Sequence, residues 1–236
     1  MSNARWNWKQ KLSVFCALRI VPYYFDSYNK INILLGLDSK YKEWTPFGGT
    51  CDMKTKCVDF TSEEVYTCLN RELNEESKEL LQLDPDFNFN NCSYMEYLVN
   101  FGNPVHTSVH NRVYFVEFTG MNNSLKRHEF LNNFRSTKRD LELQQQLKER
   151  RKKIKAYFEI EDVEFIQLNG KFREYVDNTY RADRPGNKKE SKIDPYFFKG
   201  LIDSFNLEGI EIKNTNDLID NLARKIRESR CQNNFF

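Results

Sequence analysis

Arg71-Glu72-Leu73-Asn74-Glu75-Glu76 places three carboxylates and a guanidinium within six residues, and Glu63 stands eight residues ahead of Arg71. Carboxylates at that density either stay solvated or gather a hard divalent cation, because Mg²⁺ and Mn²⁺ prefer oxygen ligands and an unpaired buried charge costs several kcal/mol. The element that carries them decides between the two. Ser62 as N-cap, acids in the first turn, and Val65, Leu69, Leu73 and Leu80 along one side predict a helix, with no Pro or Gly across 62–83. At about 100° per residue, taking Glu72 as zero, Val65 falls near ~20°, Glu76 near ~40°, Leu69 near ~60° and Leu73 near ~100°. Glu76 therefore lies inside the apolar stripe and Glu72 at its edge, while Glu75, near ~300°, lies further round. A solvated acidic helix is the alternative, which Glu63, Glu64 and Glu79 suit and the phase of Glu76 does not.

Upstream, Trp44-Thr45-Pro46-Phe47-Gly48-Gly49 ends on a double glycine, which serves a tight turn or a backbone that must come close to something else. With this loop feeding a helix that carries E-x7-R-E-L-x-E-E, the chain resembles the Nudix hydrolase family, whose signature is G-x5-E-x7-R-E-U-x-E-E-x-G-U with U aliphatic. Glu63, Arg71, Glu72, Leu73, Glu75 and Glu76 match its right half. Two departures stand out. Thirteen residues separate Gly49 from Glu63 in place of the family's five, so the loop 50–62 carries an insertion of eight. The family's terminal Gly and aliphatic positions fall on Lys78 and Glu79, with the aliphatic residue delayed to Leu80.

The resemblance implies an α/β fold, a Nudix α/β/α sandwich around a mixed sheet, and hydrolysis of the diphosphate linkage of a nucleoside diphosphate derivative. It implies Mg²⁺ or Mn²⁺ held by Glu72, Glu75, Glu76 and the Gly48 carbonyl, with Arg71 orienting the carboxylates and Glu63 structural. Many members add an acid just before the strand after the core. Here Glu159 fits best, with Glu161 and Glu164 as alternatives. Arg19 for phosphate and Trp44 for a base are the substrate-binding candidates, although rings such as Tyr24, Phe25, Tyr41 and Trp44 also serve as packing. A catalytically inactive Nudix-fold binding protein is the further alternative.

Elements able to position such a site are legible in part. Leu12–Ile20 and Ile31–Leu37 read as strands of a hairpin around Asp26–Lys30, and Arg112–Phe118 and Val163–Leu168 as further strands. A helix is expected from about Ser136 to Lys155, inserted before the last core strand, with Leu143, Leu147 and Ile154 as its stripe. Asp194–Phe205 and Asn214–Ser229 show helical spacing. The expected organisation is a Nudix domain over 1–185, with the basic helical insertion at 136–155, and a C-terminal helical extension over 186–236 packed on the core.

Of the 236 residues, Lys and Arg exceed Asp and Glu by only two, yet Lys138–Lys155 holds eight basic residues against three acids. That run, with Arg150, Arg151, Lys152 and Lys153 at its centre, is either a solvated helix face or an RNA footprint. The layout is similar to that of Nudix mRNA-decapping enzymes of large DNA viruses, so capped RNA stands beside a nucleotide-derived small molecule as substrate. Abundant Asn and Lys with scarce Gly suit an AT-rich genome. No apolar run approaches the about 20 residues that span a bilayer, and Met1–Lys11 lacks a signal-like apolar stretch, so no membrane partner and an intracellular, cytoplasmic location are expected. Six cysteines without a C-x-x-C pair point to reduced thiols.

Overall fold

A computed structural model describes residues 14–51, 60–101, 107–146, 159–181, 192–228 and 232–233. Its centre is β1 (Val14–Phe25), whose even-numbered residues Leu18 and Ile20 belong to one apolar core and whose odd-numbered Val21 and Tyr23 belong to another. The period of two makes this strand apolar on both faces, as expected at the middle of a covered sheet. β2 (Ile31–Asp38) returns antiparallel beside it, pairing Tyr23–Phe25 with Ile31–Ile33. The turn is set by Asp26, whose carboxylate accepts from the N–H groups of Tyr28 and Lys30, and by Asn29 at a left-handed φ of 56°.

After that short pairing β1 and β2 diverge, and β3 (Trp44–Thr45) and β4 (Phe47–Thr50) fill the wedge. β3 pairs with Gly36 and Leu37 of β2, and β4 pairs with Ala17–Ile20 of β1. Pro22 falls where β1 changes partner from β4 to β2, a place where a missing N–H costs least. On the other side β6 (Thr107–Phe118) runs parallel to β1, and β5 (Tyr94–Phe101) antiparallel to β6. β7 (Ile160–Gln167) lies antiparallel outside β2, and β8 (Gln232–Asn233) adds two residues beside β6. The sheet is mixed, as expected.

One face is covered by α1 (Ser62–Glu76) and α2 (Ser124–Gln146), which contribute Val65, Leu69, Leu73, Phe130 and Phe134 to a core with Leu18, Ile20, Leu34 and Val116. The other is covered by α3 (Arg173–Arg181), α4 (Pro195–Leu207) and α5 (Thr215–Glu228), packed on Val21, Tyr23, Tyr97 and Phe115. The result is an α/β/α sandwich. The segment before α4 is joined to β3 by main-chain bonds, Trp44 N–H to Lys192 O and Asp194 N–H to Trp44 O, at 2.9 and 3.0 Å. The expected boundary near 185 lies outside the described residues.

Several expectations need correction. α2 begins at Ser124, well before Ser136, because the Asn123 side chain accepts from the Leu125 and Lys126 N–H groups and Phe130 and Phe134 give the first turns a buried side. Residues 147–158, with Arg150, Arg151, Lys152 and Lys153, lie outside the described residues. β5 and α3 arise where no regular element was expected. The cap of α1 is Thr61, one residue earlier than Ser62, in a reciprocal capping box with Glu64.

The expectation of reduced thiols is also overturned. Cys51 and Cys68 form a disulfide, Cys16 and Cys92 are disulfide-bonded too, and no described cysteine is free. Cys51 follows β4 and Cys68 sits on the buried side of α1, so the fold supplies a contact that spacing along the chain hides. Such bonds persist in oxidising surroundings, which removes the cysteine argument for a reducing compartment. Among the described residues no helix is long and apolar enough to cross a membrane.

Candidate active site

α1 buries Val65, Leu69, Glu72, Leu73 and Glu76 on the side that the helical phase assigned to them, together with Cys68. Glu72 is 8 % exposed and Glu76 6 %, so two carboxyl groups lie in the core layer between α1 and the sheet. Room for them comes from the glycines of β4. A Cβ on Gly49 would stand 2.9 Å from Glu72 Oε2, and one on Gly48 would stand 2.2 Å from the Leu18 carbonyl oxygen. Gly48 also has φ of +129°, a backbone that side chains disfavour. The double glycine thus lets the helix carboxylates reach the strand backbone.

Gly48 donates its N–H to Glu76 Oε2 at 2.7 Å. Burial nevertheless pushes the Glu76 carboxyl up to about 8, with the Gly48 bond and Arg19 opposing and the charges of Glu72 and Glu159 adding to the rise. Burial raises Glu72 as well, against Arg71, with Glu75 and Glu159 adding to the rise. Arg71 ion-pairs with both Glu72 and Glu75, the second at 3.3 Å. Arg19 pairs in register with Gly48 and is braced by Asn111, whose Oδ1 accepts from Arg19 Nε at 3.2 Å.

Among the three candidate acids Glu159, Glu161 and Glu164, Glu159 is exposed and its charge reaches both Glu72 and Glu76. Glu161 is paired with Lys42, and Glu164 with Lys171 and the Tyr175 hydroxyl. Trp44 is buried and its ring lies parallel to that of Tyr175 at 6.0 Å, so much of its surface is taken up by packing. Lys78 was noticed in the sequence only as a departure from the signature. Its side chain is buried, with Nζ donating to the Ile160 carbonyl at 2.9 Å and lying 4.0 Å over the Phe134 ring. Asn111 carried no sequence signal at all.

Among the described residues no three His, Cys, Asp or Glu side chains are arranged as a ready-made ion cage. The donor chemistry still fits a hard cation. Glu72 and Glu76 are carboxyl groups held out of water, Glu76 feeling the charges of Glu72 and Glu159 and Glu72 those of Glu75 and Glu159, and added positive charge favours their ionised forms. Glu72, Glu75, Glu76 and Glu159 are the side chains able to hold it, once Glu72 and Glu75 share their oxygens between Arg71 and the ion.

No protein-family model and no curated protein matches the chain. Solved structures similar to it include an Ap4A hydrolase of C. elegans, 16 % identical over 72 % of this chain and 88 % of that one, with a TM-score of 0.34. The NUDIX domain of Shewanella oneidensis NrtR, complexed with ADP ribose, is 12 % identical over 72 % and 85 %, with a TM-score of 0.33. A protein described as a NUDIX hydrolase from Listeria monocytogenes is 10 % identical over 84 % and 98 %, also with a TM-score of 0.33. Likenesses at this level leave the functional reading to the residues themselves.

Proposed function

We propose that the protein is a Mg²⁺- or Mn²⁺-dependent hydrolase of the Nudix type, cleaving the diphosphate linkage of a nucleoside diphosphate derivative. The observation that supports it is the burial of Glu76 and Glu72 against Gly48 and Gly49, on the helix that carries the R-E-L-x-E-E run. A divalent cation there supplies charge to neutralise the diphosphate and lowers the pKa of bound water. Arg71 holds Glu72 and Glu75 in place, and Arg19 offers a guanidinium beside β4 for a phosphate oxygen. Glu159, whose charge reaches Glu72 and Glu76, adds a fourth carboxylate.

Capped RNA is the second substrate class, favoured by α2. Its Arg127, His128 and Arg135 line a cleft of about 510 Å³ together with Tyr24 and Phe165, on the same face of the sheet as α1. One panel separates the readings: nucleoside diphosphate derivatives, dNTPs and cap-labelled RNA, each with Mg²⁺ or Mn²⁺, for wild type and Glu76→Gln. Metal-dependent cleavage lost in Glu76→Gln is expected. Equal turnover by the variant would overturn the assignment, and cleavage of small substrates without action on capped RNA would eliminate decapping.

A further inference from the structure

We propose that Lys78 is a positioning residue that fixes the backbone at Glu159, the candidate fourth carboxylate of the site, a reading that rests on the metal-dependent function above. α1 stops at Glu76, and Lys78 and Glu79 follow with left-handed φ of 60° and 65°. Glycine adopts that backbone most readily, so a lysine here needs a reason. Its side chain runs inward, is 2 % exposed, and ends on the first residue of β7, where Nζ donates to the Ile160 carbonyl at 2.9 Å. Phe134 of α2 provides a ring face 4.0 Å from the ammonium. One side chain thereby ties together the end of α1, the start of β7 and the middle of α2.

Ile160 directly follows Glu159. The Glu159 carbonyl accepts from the Ser39 N–H at 2.8 Å, so the backbone around Glu159 is held by Ser39 on one side and by Lys78 on the other. The Ile160 side chain is itself wedged against Gly36, where a Cβ would meet it at 2.7 Å. Glu159 itself is exposed, at the mouth of the strand. A ligand on such a residue contributes only if its backbone is placed beforehand.

The alternative role for a buried ammonium beside acids is electrostatic, and it makes the opposite prediction. A fixed positive charge near the cluster competes with a cation, so its removal tightens metal binding. If Lys78 acts by positioning Glu159, its removal weakens binding. The test measures Mn²⁺ binding to the full chain, without substrate, by electron paramagnetic resonance of the free ion. Glu159→Gln should weaken binding roughly tenfold, and Lys78→Met by a comparable factor. The double variant should bind no more weakly than Glu159→Gln alone, because the two act through one carboxylate. Lys78→Gly relaxes the left-handed backbone while deleting the ammonium, and it should show the same loss as Lys78→Met in a folded protein. Tighter binding in Lys78→Met, no change, or a loss that adds in full to that of Glu159→Gln would each overturn the positioning role. Absence of Mn²⁺ binding by the wild type would overturn the metal-dependent reading and this role with it.

Discussion

Replacing Glu76 by Gln should make the ion-free protein more stable while removing its chemistry, although substitution of a buried residue usually destabilises. Burial raises Glu76 to about 8 from the ordinary glutamate value of 4.5. Between those two values the folded protein keeps a proton that the unfolded chain has released. The contribution of Glu76 to stability is therefore greatest below about pH 4.5, falls as pH rises, and levels off above about 8. At about 1.4 kcal/mol per pH unit, the gap near pH 7 is worth roughly 3 kcal/mol, an upper figure because water entry and local movement reduce it. Gln carries no charge at any pH, and its amide oxygen can keep the bond that Glu76 accepts from Gly48 at 2.7 Å.

The variant should then gain roughly 1–3 kcal/mol over wild type near pH 7, or about 2–12 °C in melting temperature for a chain of this length. Thermal or urea unfolding in excess chelator, at about pH 5, 7 and 8.5, checks this, and the two proteins should converge at the acid end. Saturating Mn²⁺ should restore the wild type at high pH and do little for the variant, since a cation favours the ionised carboxylate. A wild type with no downward slope, or a variant less stable than wild type in chelator near pH 8.5, would refute the claim that Glu76 is buried at the expense of its charge.

Gly48→Ala forces a Cβ to 2.2 Å from the Leu18 carbonyl at a φ of +129°; a loss on the order of 3 kcal/mol should appear in urea unfolding. Gly49→Ala meets only the movable Glu72 carboxylate, so it should fold normally and bind Mn²⁺ roughly tenfold more weakly in calorimetry. Cys68→Ser opens a link across a sequence separation of 17 and should cost about 3 kcal/mol, with a further loss on adding dithiothreitol smaller than the wild type's own. Gly200→Ala places a Cβ 2.4 Å from the Tyr97 ring on the face away from α1; it should lose about 1–3 kcal/mol in stability while leaving Mn²⁺ affinity unchanged.

The α1 site was largely legible because one helix carries most of it. Helical phase depends only on local sequence, so Val65, Leu69, Leu73, Glu72 and Glu76 could be assigned to one buried side, and the structure buries them there. The central strands were legible for the same reason, since β2 carries Ile31, Ile33, Leu34, Leu35 and Leu37 within eight residues. What escaped depended on contacts far apart in the chain. Asn111 braces Arg19 across 92 residues, and Lys78 reaches Ile160 across 82. Neither residue type is remarkable in its own neighbourhood. β5 alternates buried Met95, Tyr97 and Val99 with polar and half-buried neighbours, a strand pattern whose place in the sheet is fixed by its pairing with β6. For α2, the basic run of the sequence lies at 138–155, whereas Phe130 and Phe134 anchor the helix nearer its start.

Both departures from the signature lie next to the carboxylates, and each is accompanied by a fastening of this chain's own. Lengthening the loop between Gly49 and Glu63 from five to thirteen residues costs only about 0.8 kcal/mol in closure entropy, by its logarithmic dependence on length. The larger hazard is geometric, since a long loop leaves β4 and α1 less firmly related. The Cys51–Cys68 bond removes that slack: Cys51 lies two residues beyond Gly49, and Cys68 one helical turn before Glu72. At the far end, the place of the glycine is taken by Lys78, whose ammonium secures β7. The stretched loop is thus accompanied by a disulfide that relates the end of β4 to α1, and the altered helix end by a buried lysine that ties the end of α1 to β7.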